Sequence, residues 1–585
     1  MSGPAAFAQT PEAIRYTVSF PALHTHYVEV VATIPTDGAA QIDLMMPVWT
    51  PGSYLVREYS RHIEAMTATD ASGAPIRIQK TRKNRWRLTA KGARHVRLNY
   101  RLYANEMSVR TNFVDEEIAV LNGAATFITL VPSRVARAHE VQLLLPQTWS
   151  KSFSGMGPGA QDNSYVAPDY DTLVDSPILA GNPSVDEFRV SGKTHYLVTF
   201  RERGLWSRTQ PAQDLAKVVA ATARFWGSIP FDRYYFFNVL GAPVSALEHR
   251  NSTVINAPRE SGQARDGYVR WLSTAAHEYF HAWNVKRLRP IELGPFDYEN
   301  EVYTDGLWFA EGVTDYYADL ILARAGLVTR DEHLAAVSTN IRALQTTPGR
   351  LEQSMERASF DAWIKYYRQD ENSPNTSISY YVKGAVVGFL LDAKLRRVTK
   401  GSRSLDDVMR LLYKQFSGEK GFTSEDLRTV VVAVAGPAGA RDVRAWLDRA
   451  LGTTEELDYA EALEWYGLEM LLPSHAPGWL GLATRVDAGR TIVSHIRRGS
   501  PAFAAGLSVG DEITAIDAQP LAAGQFAEHL RTLTPGQKVV LTLTRHDAVR
   551  RVEIAVEDSG QQWRLGVAPG VTKEQERNLA AWITF

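Results

Sequence analysis

Residues 268–288 read YVRWLSTAAHEYFHAWNVKRL, and the chemistry of the chain turns on the five at its centre, His277-Glu278-Tyr279-Phe280-His281. Apolar residues recur through the stretch at helical spacing, so a helix is expected. Four positions separate the two histidines, which places both imidazoles on one helical face. Glu278 stands beside them, within reach of a water held at a metal ion on that face. This is the H-E-x-x-H arrangement of hydrolytic zinc sites, with two histidine ligands and a glutamate as general base. The bare pattern also arises by chance on unrelated helices. Here it sits in a strongly patterned helix, and a second helix supplies further carboxylates.

A hydrolytic zinc ion takes three protein ligands and leaves a position for water. The next strongly helical stretch, LWFAEGVTDYYADLILARAGL over residues 307–327, offers Glu311 as the third ligand. Asp315 follows one turn later on the same face. It is expected to accept a hydrogen bond from the non-ligating nitrogen of His277, or failing that of His281, and so to fix the tautomer. Glu301, in the polar segment YENEV, is the rival ligand and lies in no helical register. One such ligand set implies one zinc ion per chain. Other histidines, His249 and His475 among them, read as surface residues or as supports behind the ligands.

The chain has 585 residues, enough for about three or four domains. Hydrophobic residues make up 45% and charged residues 22%, the balance of a globular protein. A formal net charge of -1 supplies no basic excess for phosphate contacts, which argues against nucleic acid as the main partner. There is no cysteine, so disulfides and zinc–thiolate sites are excluded and any metal must use histidine or carboxylate. No apolar run reaches membrane-spanning length. The opening residues MSGPAAFAQTPEA lack the basic region and long apolar stretch of a complete secretory leader. Ala6-Phe7-Ala8 is either the remnant of a trimmed leader or an ordinary N-terminus, so cytoplasm and periplasm both stay open as compartments, as does the oligomeric state.

From Ile14 to about Pro168 the chain reads as strands, among them IRYTVSF, YVEVVATI, QIDLMMPV and VRLNYRLYA. An antiparallel sandwich or saddle domain is expected over 1–170. In 171–466, strand signals in HYLVTF and YYFFNVL give way to helical periodicity. Ser404–Asp407 and Thr423–Asp426 carry helix-start signals, with Asp at the third helical position in place of the usual Glu or Gln. The short strands TIVSHI, EITAIDA, KVVLTLTR and RRVEIAV then mark a small β domain over 477–558. Residues 559–585 are expected as a tail with a short helix. The fold class is multidomain α+β.

Taken together, these features resemble the gluzincin metallopeptidases and, more narrowly, the glycyl aminopeptidase family, metallopeptidase family sixty-one. The resemblance rests on HEYFHAWNVKRLRP (277–290), WFAEGVTDYY (308–317), YYVKGA (380–385) and SALEHRNST (245–253), with WTPGSYLVREY (49–59) in the β region. It spans nearly the whole chain. It implies a thermolysin-like catalytic fold and zinc-dependent release of N-terminal glycine or alanine from peptides with a free N-terminus. It also implies Tyr381, in Tyr-x-Lys-Gly, as donor to the oxyanion, with Tyr380 as the adjacent alternative. Related aminopeptidases carry Gly-x-Met-Glu-Asn on an edge strand whose Glu binds the free ammonium. The matching residues here are Ser245-Ala246-Leu247-Glu248-His249, so Glu248 is the implied anchor. The departures at Ser245, Leu247 and His249 leave the substrate pose open, and pairing of Glu248 with a local arginine is the alternative. The interval between His281 and Glu311 is longer than in those relatives, and PIELGPFDYENEVYTDG is expected to form a rim loop.

Arg498–Ile513, RGSPAFAAGLSVGDEI, resembles a PDZ domain, and Leu480-Gly481-Leu482 resembles its carboxylate-binding loop. That implies capture of peptide C-termini beside an exposed strand, or else packing on the catalytic region. Two other functions fit the same residues. One is a zinc endopeptidase that recruits unfolded polypeptides through the PDZ-like module, the other a peptide-binding protein without turnover.

Overall fold

Strand Tyr27–Pro35 shows how the N-terminal region is built: Val28, Val30, Ala32 and Ile34 are all fully buried, and the residues between them face the other side. Period-two alternation of this kind commits one face to a core, and burying each of the three larger side chains contributes about 1.5–3 kcal/mol. The computed structural model describes residues 11–133, 135–207, 209–472, 478–560 and 563–585, so His475 and the Ala6–Ala8 stretch lie outside it. Tyr27–Pro35 belongs to a seven-stranded sheet that also contains Ile14–Ser19, Ile63–Thr69, His95–Tyr103 and His139–Leu144. One of its pairings is parallel, Ile14–Ser19 with His139–Leu144. Alternation within a strand carries no information on partner direction, and this pair is joined only by a long excursion through the rest of the domain. The core beneath is closed by three buried tyrosines. The hydroxyls of Tyr16, Tyr100 and Tyr170 donate to the carbonyls of Ile128, Thr126 and Phe127, each at 2.8 Å, so large apolar rings are buried without an orphaned hydroxyl.

The chain forms two compact units, one of Met1–Val302 with Ser417–Gly421 and the other of Tyr303–Phe416 with Phe422–Phe585. The first unit also holds a five-stranded sheet ordered Ser184–Val190, Lys193–Phe200, Arg233–Leu240, Ser252–Ala257 and Ser245–Glu248. Its last strand is an antiparallel edge. Helix Arg265–Phe280 lies on this sheet. Trp271 donates to Asn238 Oδ1 at 3.0 Å, and the Tyr279 hydroxyl meets His195 Nε2 at 3.0 Å.

The second unit is mostly helical. Helices Val313–Arg324 and Tyr380–Val398 pack around a buried polar network in which Tyr316 donates to Asp392 at 2.7 Å and Arg324 to Asp406 at 3.0 Å. Thr423 and Asp426 form a reciprocal capping box. The helix they start spans Ser424–Gly452 only with a break at Gly436 (φ 72°) before Pro437: proline has no N–H to donate and drives the preceding residue out of the helical region. Six strands, Leu482–Asp487, Arg490–Ile496, Glu512–Ile516, Gln519–Pro520, Lys538–Arg545 and Ala548–Ala555, form the sheet of the small β domain around Val493, Ile513 and Leu541. The residues beyond it do not trail away as a tail. Arg564–Val567 pairs with Leu468–Leu471, and helix Lys573–Ile583 buries Trp582 against Tyr466, its indole donating to the Tyr316 hydroxyl at 2.8 Å. Among the described residues no helix is long and apolar enough to cross a membrane.

His139 and His333 are buried in the two units, and desolvation holds each imidazole at about 4. In the unfolded chain both protonate near about 6.5, so below that pH the unfolded state binds more protons and the folded state loses stability. In metal-free protein the thermal midpoint is expected to be flat above about pH 7 and to fall from about 6.5 towards 4. His333→Leu should show a shallower fall than wild type in the same calorimetric series.

Candidate metal centre

Helix Arg265–Phe280 stops one residue short of the second histidine. The sequence pattern continues the helix to Leu288, but His281 occupies the cap position, its N–H bonded to the His277 carbonyl at 3.2 Å. The chain then tightens, with Leu288 N–H donating back to the Trp283 carbonyl at 2.8 Å and Val285 at a φ of 111°. This turn brings the Asn284 carbonyl to 2.8 Å from His281 Nδ1. A ring nitrogen facing a carbonyl carries the proton, so the lone pair of His281 is left on Nε2. That Nε2 lies 2.8 Å from Nε2 of His277, the two rings meeting at 85°.

Glu311 is buried and sits in a single π turn, Trp308–Gly312, at the head of helix Val313–Arg324. Such turns insert one residue into a helix and are frequent at functional sites. The ligand atoms of His277, His281 and Glu311 all lie within 4.8 Å of one another. Two imidazoles and a carboxylate are a donor set suited to zinc. Tetrahedral coordination at zinc–nitrogen bond lengths needs ligand nitrogens about 3.3 Å apart, so the histidine pair has only to open slightly to accept an ion. Glu301 is exposed, in a segment without regular structure. Asp315 is half-buried, one turn beyond Glu311.

Helix Tyr380–Val398 begins at Ser379, whose side chain accepts from Val382 N–H. Its first turn carries both tyrosines. Tyr380 is fully buried and Tyr381 half-buried; Tyr380 packs tilted against Tyr366 at a centroid distance of 4.7 Å, and Tyr381 stacks on it at 5.4 Å. Burial, and then the Glu311 carboxylate nearby, push the Tyr381 phenol well above its ordinary range. It therefore stays protonated and able to donate. Two glycines let this helix approach the π turn. A Cβ on Gly384 would lie 2.7 Å from the Trp308 carbonyl oxygen, and one on Gly312 would lie 2.5 Å from Gly384 Cα.

Glu248 ends the edge strand Ser245–Glu248 and is buried. Its carboxylate pairs with Lys286, whose Nζ is 3.6 Å from Glu248 Oε1 and 2.8 Å from Asp175 Oδ1. His249 is buried too, and its Nδ1 is 3.3 Å from the same Asp175 oxygen. Burial works to raise Asp175, but Lys286 and His249 override it and hold the carboxyl well below the usual range. Lys286 is lifted above its own, the two carboxylates outweighing desolvation. Gly52 closes over the anchor: with a φ of 84°, a Cβ there would lie 2.4 Å from Glu248 Oε1. Sequence reasoning missed Lys286, Asp175 and Thr253. Lys286 and Thr253 stand inside quoted signatures, HEYFHAWNVKRLRP and SALEHRNST, but nothing local marks either one's partner.

Glu278 is buried, and its Oε2 lies 3.3 Å from the Thr253 hydroxyl. In the small β domain, Gly481 has a φ of 72° and its carbonyl accepts from Arg497 N–H at 2.8 Å. Leu480 is fully buried and Leu482 starts strand Leu482–Asp487, at one edge of the sheet. Asn375 clamps the adjoining loop, donating to the Ile496 carbonyl and accepting from Arg498 N–H, both at 2.8 Å.

Residues 15–182 match the family model of the Peptidase M61 N-terminal domain, residues 270–387 that of M61 glycyl aminopeptidase, and residues 478–556 that of a PDZ domain. An aminopeptidase N family protein from Idiomarina loihiensis has a crystal structure with 29% identity and a TM-score of 0.89, covering 98% of this chain and 100% of that one. An M1 zinc metallopeptidase from Deinococcus radiodurans aligns at 14% identity and a TM-score of 0.46, over 75% of this chain and 94% of its own. A curated Neisseria meningitidis serogroup A protein, provisionally named a zinc metalloprotease, is 38% identical over 64 residues; the match spans 11% of this chain and 14% of that relative's length.

Gly384→Ala is expected to displace the helix carrying Tyr381, since the new methyl meets backbone rather than a yielding side chain. The cost should be about 1–3 kcal/mol of stability, with catalytic turnover falling while bound zinc, measured by elemental analysis, stays at the wild-type level.

Proposed function

We propose that this chain, which matches the M61 N-terminal and M61 glycyl aminopeptidase models over residues 15–182 and 270–387, is a zinc-dependent aminopeptidase releasing small residues, glycine or alanine, from peptides with a free N-terminus. The observation that carries the reading is the convergence of His277, His281 and Glu311. These three would hold one zinc ion per chain. The bound ion supplies a Lewis acid that acidifies a water and polarises the scissile carbonyl. Glu278 takes the proton of the attacking water and passes it to the departing amine nitrogen. Tyr381, kept protonated, donates to the oxygen that gains charge as the carbonyl becomes tetrahedral.

Glu248 receives the substrate ammonium. The Glu248 carboxyl is buried beside Lys286, which it shares with Asp175. A buried carboxylate favours a charged partner over a neutral peptide segment. That is the physical support for action at the chain end, while the small-residue preference rests on the family. The edge strand Leu482–Asp487 and the loop Leu480–Leu482 are assigned to peptide C-termini by strand addition.

Glu278→Gln should keep its zinc and lose roughly 10²- to 10⁴-fold in turnover, whereas Glu311→Ala should lose the metal itself. A peptide library with matched free and acetylated N-termini, read by mass spectrometry, tests the end preference. Acetylation should abolish cleavage. Equal cleavage of both sets would establish the endopeptidase reading in its place.

A further inference from the structure

We infer that Thr253 is a positioning residue, one that orients the general base and fixes its spacing from the ammonium anchor; this rests on the aminopeptidase reading above. Thr253 lies on strand Ser252–Ala257, fully buried, directly opposite Glu248 in the antiparallel register. Its Oγ1 is 3.3 Å from Glu278 Oε2 and 3.0 Å from the Leu247 carbonyl oxygen. One hydroxyl thus touches both the catalytic carboxyl and the strand that presents the anchor.

A hydroxyl has one hydrogen to donate and lone pairs with which to accept. With its hydrogen on Glu278, Thr253 holds the carboxylate oxygen in place. With the hydrogen turned to the Leu247 carbonyl, the same oxygen accepts from Glu278 once the carboxyl has taken the water's proton. A rotation about the Cβ–Oγ bond therefore serves both forms of the base with no heavy atom displaced. The proton balance is unchanged, since what Glu278 takes from water it returns to the amine and Thr253 ends with its own hydrogen.

The two residues that follow Thr253 on the strand, Val254 and Ile255, are buried apolar side chains, and Ser252 before it is buried and polar. Valine has the same branched shape as threonine and a strand preference at least as strong. A polar group at such a position costs free energy unless it is hydrogen-bonded, and here the two oxygens it meets belong to the base and to the anchor strand. Tying the base to Leu247, the neighbour of Glu248, sets how far the attacked bond stands from the substrate ammonium. That spacing selects the first peptide bond.

The test uses full-length, zinc-loaded protein and glycyl and alanyl p-nitroanilides. Thr253→Val should keep full zinc content and its thermal midpoint, with kcat falling about tenfold and KM changing little, a loss of transition-state rather than ground-state interaction. Thr253→Ser should restore most of the rate. In a Glu278→Asp background, where the shorter carboxyl no longer reaches the hydroxyl, Thr253→Val should add no further loss. Should Thr253→Val be insoluble, Thr253→Ala is measured the same way. Unchanged kcat in the hydroxyl-free variants, equal losses in the serine and valine variants, or fully additive losses with Glu278→Asp would each overturn the inference. A zinc-loaded wild type inert towards every free N-terminus would overturn the aminopeptidase reading, and this inference with it.

Discussion

His281 gives its backbone N–H to His277 and turns Nδ1 towards the Asn284 carbonyl, and those two contacts end the helix that carries the metal-binding face. A helix continued to Leu288 would send the following residues along its axis. Stopping at Phe280 instead folds the chain back within four residues, so that Lys286 reaches Asp175 and Glu248. A single local event thus aims one proposed ligand, frees its Nε2 for a cation, and delivers the lysine that holds the proposed anchor.

The charges gathered there are buried, and burial decides how they behave. An isolated carboxylate or ammonium at such a place is strongly disfavoured, and removal of one partner leaves the others uncompensated. Asp175 therefore stays ionised below its ordinary range while Lys286 stays protonated above its own. Such a cluster contributes little net stability compared with apolar packing. What it provides is a fixed carboxyl orientation, with Gly52 pressed against Glu248 so that no side chain intrudes. Binding groups held in place beforehand lose less entropy when a ligand arrives.

The second unit solves a different problem by close approach. The π turn at Trp308–Gly312 and helix Tyr380–Val398 touch backbone to backbone through Gly312 and Gly384, and the Glu311 carboxylate helps to raise the Tyr381 phenol. Trp582, from near the end of the chain, caps the far side of the same helices through Tyr316. The packing of these helices is thus maintained by one glycine contact and one buried polar network.

Much of this was written in local pattern. The spacing of His277 and His281, the helical stretch that bears Glu311 and the capping box at Thr423 follow from periodicity and backbone chemistry within a few residues. The strands of both β regions were legible for the same reason. Their pairing was not, because an alternating strand presents the same faces whether its neighbour runs parallel or antiparallel. Nor could adjacency in sequence separate Tyr380 from Tyr381, or show that Lys286 meets Asp175, 111 residues away, or that Thr253 meets Glu278. Those choices depend on which buried groups must find partners once water is excluded, and only the assembled chain determines who is near enough to satisfy them.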